Sequence, residues 1–156
     1  MKQMIGIEFM PVDYEASIES GGERMANFLG RGWRFPVKVD SATGRIMMSE
    51  HEDDIAEAIR IILLTSQGER VMRPDFGCGA HNYVFGLSDS TTLNLLKSSI
   101  EEAIMIWEPR VLEVEVRPQI DADDPQKILL NIRYRVRSTN SLFNLVYPFY
   151  LNEGTK

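Results

Sequence analysis

The chain has 156 residues, 44% hydrophobic and 26% charged, which is an ordinary globular composition with material for one domain and a real core. A formal net charge of −6 argues against non-specific binding to nucleic acid or anionic membrane, although a local basic patch is compatible with it. The single cysteine excludes an intrachain disulfide and suits a reducing compartment.

Residues 1–27 lack helical periodicity and read as an N-terminal arm, with Gln3 to Val12 as a strand or extended segment. Met4-Ile5-Gly6-Ile7 is apolar, but Glu8 interrupts it before a secretion signal could form. Residues 28–156 read as a single domain. Phe28 to Val39 is aromatic and β-branched, broken by Gly30, Gly32 and Pro36, so a loop entering a short strand is expected. Ser41-Ala42-Thr43-Gly44 is a turn, and Arg45 to Met48 a short return strand.

The first helix follows. Ser49 and Glu52 have the spacing of a capping box, and Glu50, Glu52, Asp53 and Asp54 put acid at its N-terminal end, which the macrodipole favours. Ile55, Ile59, Ile62 and Leu63 share one helical face. That face is too short and too charged to span a bilayer. Thr65 to Gly68 ends the helix. A glycine-rich loop comes next, Gly68-Glu69-Arg70-Val71-Met72-Arg73-Pro74-Asp75-Phe76-Gly77-Cys78-Gly79, with Tyr83-Val84-Phe85 as an apolar anchor.

The second helix is expected from Ser88 or Asp89, with a buried stripe of Leu93, Leu96, Ile100, Ala103, Ile104 and Trp107. Pro109 disfavours helical geometry at Glu108 and stops it. Leu112, Val114 and Val116 alternate with Glu113, Glu115 and Arg117 as a half-buried strand. After a polar turn at Asp121 to Gln126, Ile128, Leu130, Ile132, Tyr134 and Val136 alternate with polar residues, the strongest strand pattern in the chain. Leu142 to Leu151 is a third, aromatic strand, and Pro148 places it at a sheet edge. The architecture is α+β: two helices on one face of a small, mostly antiparallel sheet, ending in a β-hairpin plus an edge strand.

Glu108-Pro109-Arg110 carries the most pointed chemistry. A carboxylate at a helix C-terminus meets the negative end of the dipole and needs a cation. In extended geometry Arg110 lies on the same side as Glu108. Read from physics alone, this is a helix stop with a local ion pair; the sharper reading is an acid–base pair committed to a partner protein. Arg70 or Arg73, on the glycine-rich loop, could supply the cation instead. That loop lacks the strand–glycines–Lys–helix order of a phosphate cradle and reads as a turn that folds Phe76 onto the core.

Cys78, His81 and His51 fall short of a four-ligand zinc site, and no third group orients a Cys–His dyad, so a small buried thiol is expected and no metal or cofactor. Arg133, Arg135 and Arg137 form a basic row without interleaved aromatics. It reads as a solvated face paired with Glu113 and Glu115, and nucleic-acid binding is not expected. Glu101-Glu102 are expected on the exposed side of the second helix and Asp123-Asp124 in a turn. None sets one buried acid against a second carboxylate across a cleft, as glycoside hydrolysis requires.

In chain order, several segments together resemble the contractile-tail baseplate wedge family, which includes phage T4-type gene-product-twenty-five proteins, phage protein W and TssE of type VI secretion. They are Gly30-Arg31-Gly32-Trp33 with Phe35-Pro36, Ile55 to Thr65 of the first helix, Gly68-Glu69-Arg70, Arg73-Pro74, Phe76-Gly77, Gly79, Trp107-Glu108-Pro109-Arg110 and the strand at Tyr134. The resemblance runs from about Phe28 to Tyr150 and makes the tripeptide a family signature.

It implies a structural, non-enzymatic wedge subunit, about six copies of which would surround a hub and spike. Such a subunit would contact the sheath protein and other wedge proteins, without membrane insertion, and would be cytoplasmic until built into a phage tail-like baseplate. The sheet would seed sheath assembly by accepting a strand at its edge. Partner contacts are then expected at Glu108, Pro109, Arg110, Arg70, Arg73, Tyr147, Pro148 and Phe149. Two rival readings are a lysozyme-like glycoside hydrolase, a label often carried in this family, and a small anti-adaptor, since a stress-sigma-factor anti-adaptor shares the fold.

Overall fold

The computed structural model describes residues 29–86, 90–124 and 127–150. The expected N-terminal arm and the expected start of the second helix at Ser88 or Asp89 lie outside them. Strand β1 (Arg31–Trp33) pairs antiparallel with β2 (Met48–Glu50), and the bridge between Val39 and Ile46 extends that hairpin. Strand β2 runs directly into α1 (His51–Leu64). A 3-10 helix at Gly79–Gly86, then α2 (Ser90–Trp107), lead to a three-stranded antiparallel sheet of β3 (Val111–Ile120), β4 (Lys127–Val136) and β5 (Leu142–Tyr150), in the order β3-β4-β5. The fold is α+β, with the C-terminal hairpin and edge strand expected from the sequence.

The apolar stripes meet in one core. Ile55, Ile59 and Leu63 of α1 and Leu96, Ile100 and Ile104 of α2 are fully buried, and they share a cluster with Ile128, Leu130, Ile132 and Val136 of β4. Strand β4 is central, and its alternation places every apolar side chain of that row inside. On the opposite face Arg133 pairs with Glu115 at 3.6 Å and Arg135 with Glu113 at 2.8 Å, so two of the three arginines of the basic row are paired across the hairpin, while Arg137 Nε donates to the Pro109 carbonyl (3.2 Å).

Three local expectations are corrected. The capping box does not form: the N-cap is Glu50, without a side-chain cap bond, while Ser49 lies in β2 opposite Gly32. Tertiary strand pairing claims the backbone that a cap would have used, and the His51 N–H donates to the Gly30 carbonyl (3.3 Å). Second, Leu112, Val114 and Val116 do not share a buried face; Val111 and Val116 are the buried pair. The register slips between Leu112 and Glu115, with Glu113 at φ 51°, so one extra residue inverts the side-chain phase. Third, Glu101 does not project freely from α2: its carboxylate accepts the Val116 N–H (2.9 Å) and lies 3.8 Å from Lys97.

Candidate functional site

The end of α2 is where the tripeptide acts. The helix closes with the Glu108 N–H donating to the Ile104 carbonyl (2.9 Å), and the chain turns through Pro109 so that Val111 N–H reaches the Glu108 carbonyl (3.1 Å). Glu108 is only 3% exposed, one of three buried polar residues among those described. Both of its oxygens are taken by Arg110, Nε to Oε1 at 2.7 Å and Nη2 to Oε2 at 2.6 Å, a fork-on-fork pair. The third nitrogen, Nη1, donates to Asp54 (2.7 Å) and to the Leu29 carbonyl (2.8 Å). The Glu108 hydrogen bonds are the main cause that pushes the Arg110 pKa up, with desolvation opposing and Asp54 adding to the rise. One guanidinium therefore ties together the α2–β3 junction, the first turn of α1 and the entry to the β1–β2 hairpin. Gly32 is part of this packing, because a Cβ there would run into the Asp54 carboxylate.

The cation for Glu108 is thus Arg110, and Arg70 and Arg73 have other positions. Arg70 lies over the Phe76 ring, 4.1 Å from its centroid, and Arg73 over Trp107 at 5.1 Å; the two rings are themselves 5.1 Å apart. Phe76 and Trp107 pack on the core cluster. Gly77 turns the loop back at φ 110°, where a Cβ would strike the Thr65 carbonyl that the Cys78 N–H binds at 2.9 Å. Loop and tripeptide therefore meet at one place, the last turn of α2, through Trp107 and its neighbour Glu108.

Tyr147, Pro148 and Phe149 lie on β5, away from that turn along the chain and in a different layer. Phe149 is buried, and burial pushes the Tyr147 hydroxyl pKa up. The Val136 N–H donates to the Ser141 carbonyl (3.0 Å), and the β4–β5 register continues unbroken from there. Antiparallel ladders alternate, so Phe143, Leu145, Tyr147 and Phe149 turn their backbone groups toward β4. Leu142, Asn144, Val146, Pro148 and Tyr150 turn theirs to the open side. The missing N–H of Pro148 falls there, where an edge strand tolerates proline.

The other edge, β3, is blunted three ways: by its bulge, by the Glu101 carboxylate on Val116 N–H, and by Pro118, which has the same outward parity as Val116. Beside the β5 edge a cleft of about 720 Å³ opens between Ala56, Glu57 and Arg60 of α1 and Asn144, Leu145 and Val146 of β5.

Cys78 is buried, with its Sγ 3.9 Å from the Ser99 carbonyl, and desolvation pushes its pKa up, the opposite of an activated nucleophile. No group of three or more His, Cys, Asp and Glu side chains that could hold a metal exists among the described residues. No helix among the described residues is long and apolar enough to cross a membrane. Sequence reasoning missed Asp54, which it read as a helix-dipole acid, and the Leu29 carbonyl; no periodicity links either to Arg110, 56 and 81 positions away. It also missed the strongly exposed Val71 and Met72 at the loop tip, which an apolar pair between two arginines could have signalled.

Residues 49–141 match the family described as baseplate wedge protein gp25. Among solved structures, the chain is 53% identical to a provisional tail lysozyme from Geobacter sulfurreducens, covering 71% of this chain and 100% of that one with a TM-score of 0.61. A chain of the anti-feeding prophage baseplate is 24% identical over 85% of this chain and 94% of its own, with a TM-score of 0.61. A chain of the type VI secretion baseplate complex is 18% identical over 63% and 91%, with a TM-score of 0.53. The last two likenesses concern the fold. No curated protein matches the sequence at a significant level.

Proposed function

The chain belongs to the gp25 family of baseplate wedge proteins, and from that we propose that it is a structural wedge subunit of a contractile injection machine that joins the wedge core to the sheath and seeds sheath growth by β-strand augmentation at β5. Residues 28–156 would form the wedge domain, repeated around the hub and spike. The observation that carries the sheath reading is the outer edge of β5, which pairs with no strand among the described residues. Its outward N–H and C=O groups at Leu142, Asn144 and Val146 form a ready template for an added strand. The adjacent cleft under α1 gives that strand room, and the blunted β3 edge leaves β5 as the side to extend. On the open face Val146 and Pro148 are half-buried and Tyr150 exposed, apolar surface that a pairing strand would cover.

The Glu108–Arg110 node has a different part in this reading. It sets the relative placement of the hairpin, α1 and the α2–β3 turn, so that Pro109 and the arginine-lidded aromatic pair face the other wedge proteins as one surface. Arg70, Arg73 and Arg110 would contribute contacts there, and Tyr147, Pro148 and Phe149 would contribute them at the sheath end.

The experiment is Val146→Pro. It removes one outward donor while leaving the β4–β5 ladder bonds, which run through Leu145 and Tyr147, in place. Baseplates carrying the variant should be complete yet bear no extended sheath by electron microscopy. Full-length sheath on those baseplates would sink the seeding role.

A hydrolase reading follows from the Geobacter relative and meets a geometric objection. A glycosidase acid must face substrate opposite a second carboxylate. The one buried carboxylate among the described residues, Glu108, has both oxygens on Arg110, and Glu101 is held by Val116 and Lys97. Purified protein should turn over no peptidoglycan; turnover abolished by Glu101→Gln or Glu108→Gln in a folded variant would restore the enzyme reading.

A further inference from the structure

We propose that the Val71–Met72 tip of the loop between α1 and the 3-10 helix is an anchor that inserts into an apolar pocket, rimmed by carboxylates, on a neighbouring wedge protein. The inference rests on the wedge reading above and adds to it a specific contact and the chemistry of its partner.

Val71 is 92% exposed and Met72 89%, the two most exposed large hydrophobic side chains among the described residues. A lone surface hydrophobe is ordinary. Here, however, the surrounding loop is braced so that the pair cannot fold back onto the core. Gly68 N–H donates to the Pro74 carbonyl (2.7 Å) and closes the loop at its base. The Glu69 carboxylate accepts the Ser66 N–H (2.9 Å), and consecutive turns run from Arg73 N–H to Arg70 O (3.2 Å) and from Phe76 N–H to Arg73 O (3.0 Å). Beneath the tip, Arg70 and Arg73 lie on Phe76 and Trp107, rings seated on the core. A knob held this way loses little freedom on docking, so the burial of its side chains appears as affinity rather than being spent on ordering the loop.

The arginines also state the partner's charge. A guanidinium lying over a ring keeps its N–H edge for carboxylates. The carboxylate contact of Arg73, to Asp75 at 3.7 Å, is exposed on both sides and weak. A pocket with an apolar floor and an acidic rim therefore complements the tip. Met105 and Ile106, exposed on the last turn of α2 beside Trp107, extend apolar surface at the same end of the helix. A bilayer is the poorer occupant, since two side chains give little insertion and the whole chain carries −6.

The test uses the full chain and, as probe, the remaining wedge proteins of the same particle, co-expressed and purified without it. V71S/M72S should keep the circular dichroism spectrum and Tm of the wild type, because both side chains are exposed. It should bind the probe at least about 30-fold more weakly. R70E/R73E should also weaken binding, with a reduced dependence on salt. An unchanged Kd for V71S/M72S overturns the anchor while leaving the wedge reading intact. Wild-type protein that ignores the wedge proteins altogether overturns that reading, and the anchor with it. Binding of wild type, but not V71S/M72S, to phosphatidylglycerol vesicles would replace the protein pocket with a membrane.

Discussion

A carboxylate at the C-terminal end of a helix is placed against the dipole, and a buried one is costlier still. Glu108 is tolerated because a guanidinium two residues on meets both of its oxygens, and Arg110 in turn is satisfied by Asp54 and the Leu29 carbonyl. Removing the Arg110 side chain takes this donor from Asp54 and the Leu29 carbonyl and leaves the buried Glu108 carboxylate with the backbone N–H of residue 110 (3.2 Å) in place of a guanidinium fork. Arg110→Ala should therefore cost about 2–3 kcal/mol, somewhat below a fully buried pair because Arg110 is partly exposed. In a chain of this size the Tm should fall by roughly 8 °C, readable by calorimetry. Arg110→Lys should recover little, since an ammonium cannot hold a fork and a third partner together. If Arg110→Ala melts with the wild type, the node does not hold these elements together. Any loss of assembly in Arg110→Ala has to be measured below its melting range to separate folding from contact.

Among the elements, the β3–β4 hairpin is set by two opposed features: a continuous alternation on β4 and a bulge on β3. The bulge lets Val111 and Val116, of opposite parity, both face the core, and leaves Glu113 and Glu115 on the wet face against Arg135 and Arg133. Glu115 also meets Arg117 at 2.8 Å, and that hydrogen bond is the first cause holding its pKa below the ordinary carboxylate value, with desolvation opposing. The folded chain thus binds this proton less readily than the unfolded chain. Its stabilisation is present above the unfolded pKa and is lost as pH falls through the lower folded value. Glu115→Gln should accordingly be less stable than wild type from about pH 5 to 7 and equal to it below about pH 3, by denaturant titration. A constant difference across that range would mean that packing, not charge, is at work. High salt should shrink the difference, since the pair is exposed.

For the whole molecule, the important asymmetry lies between the two sheet edges. An open sheet edge is an aggregation liability, and β3 carries a bulge, a proline and a helix carboxylate against it. On β5 the described residues carry one proline, and a cleft runs beside it. The Val146→Pro test belongs to this scale, because its readout is sheath length on a complete baseplate rather than stability of the chain. The anchor at Val71–Met72 lies off the sheet, on the loop that follows α1. Sheath contact and wedge contact are therefore separable: each variant should lose one and keep the other.

The sequence by itself determined the elements whose causes are local. Period-3.6 stripes at Ile55 to Leu63 and Leu96 to Ile104, period-2 alternation at Ile128 to Val136, the stop at Pro109 and the edge character of a proline-bearing β5 all follow from side-chain spacing and from what proline cannot do. The ordered set of loop segments was enough to place the chain in its family. Tertiary structure decided whatever depends on residues far apart in the chain. It moved Ser49 from a cap into a strand, gave Val116 N–H to Glu101, inverted the phase of β3 with a bulge, and brought Asp54 and Leu29 to Arg110. It placed Arg70 and Arg73 on aromatic rings rather than on Glu108. Spacing encodes the face a residue shares with its near neighbours, whereas a buried charge selects its partner only when packing has brought the candidates within hydrogen-bonding distance.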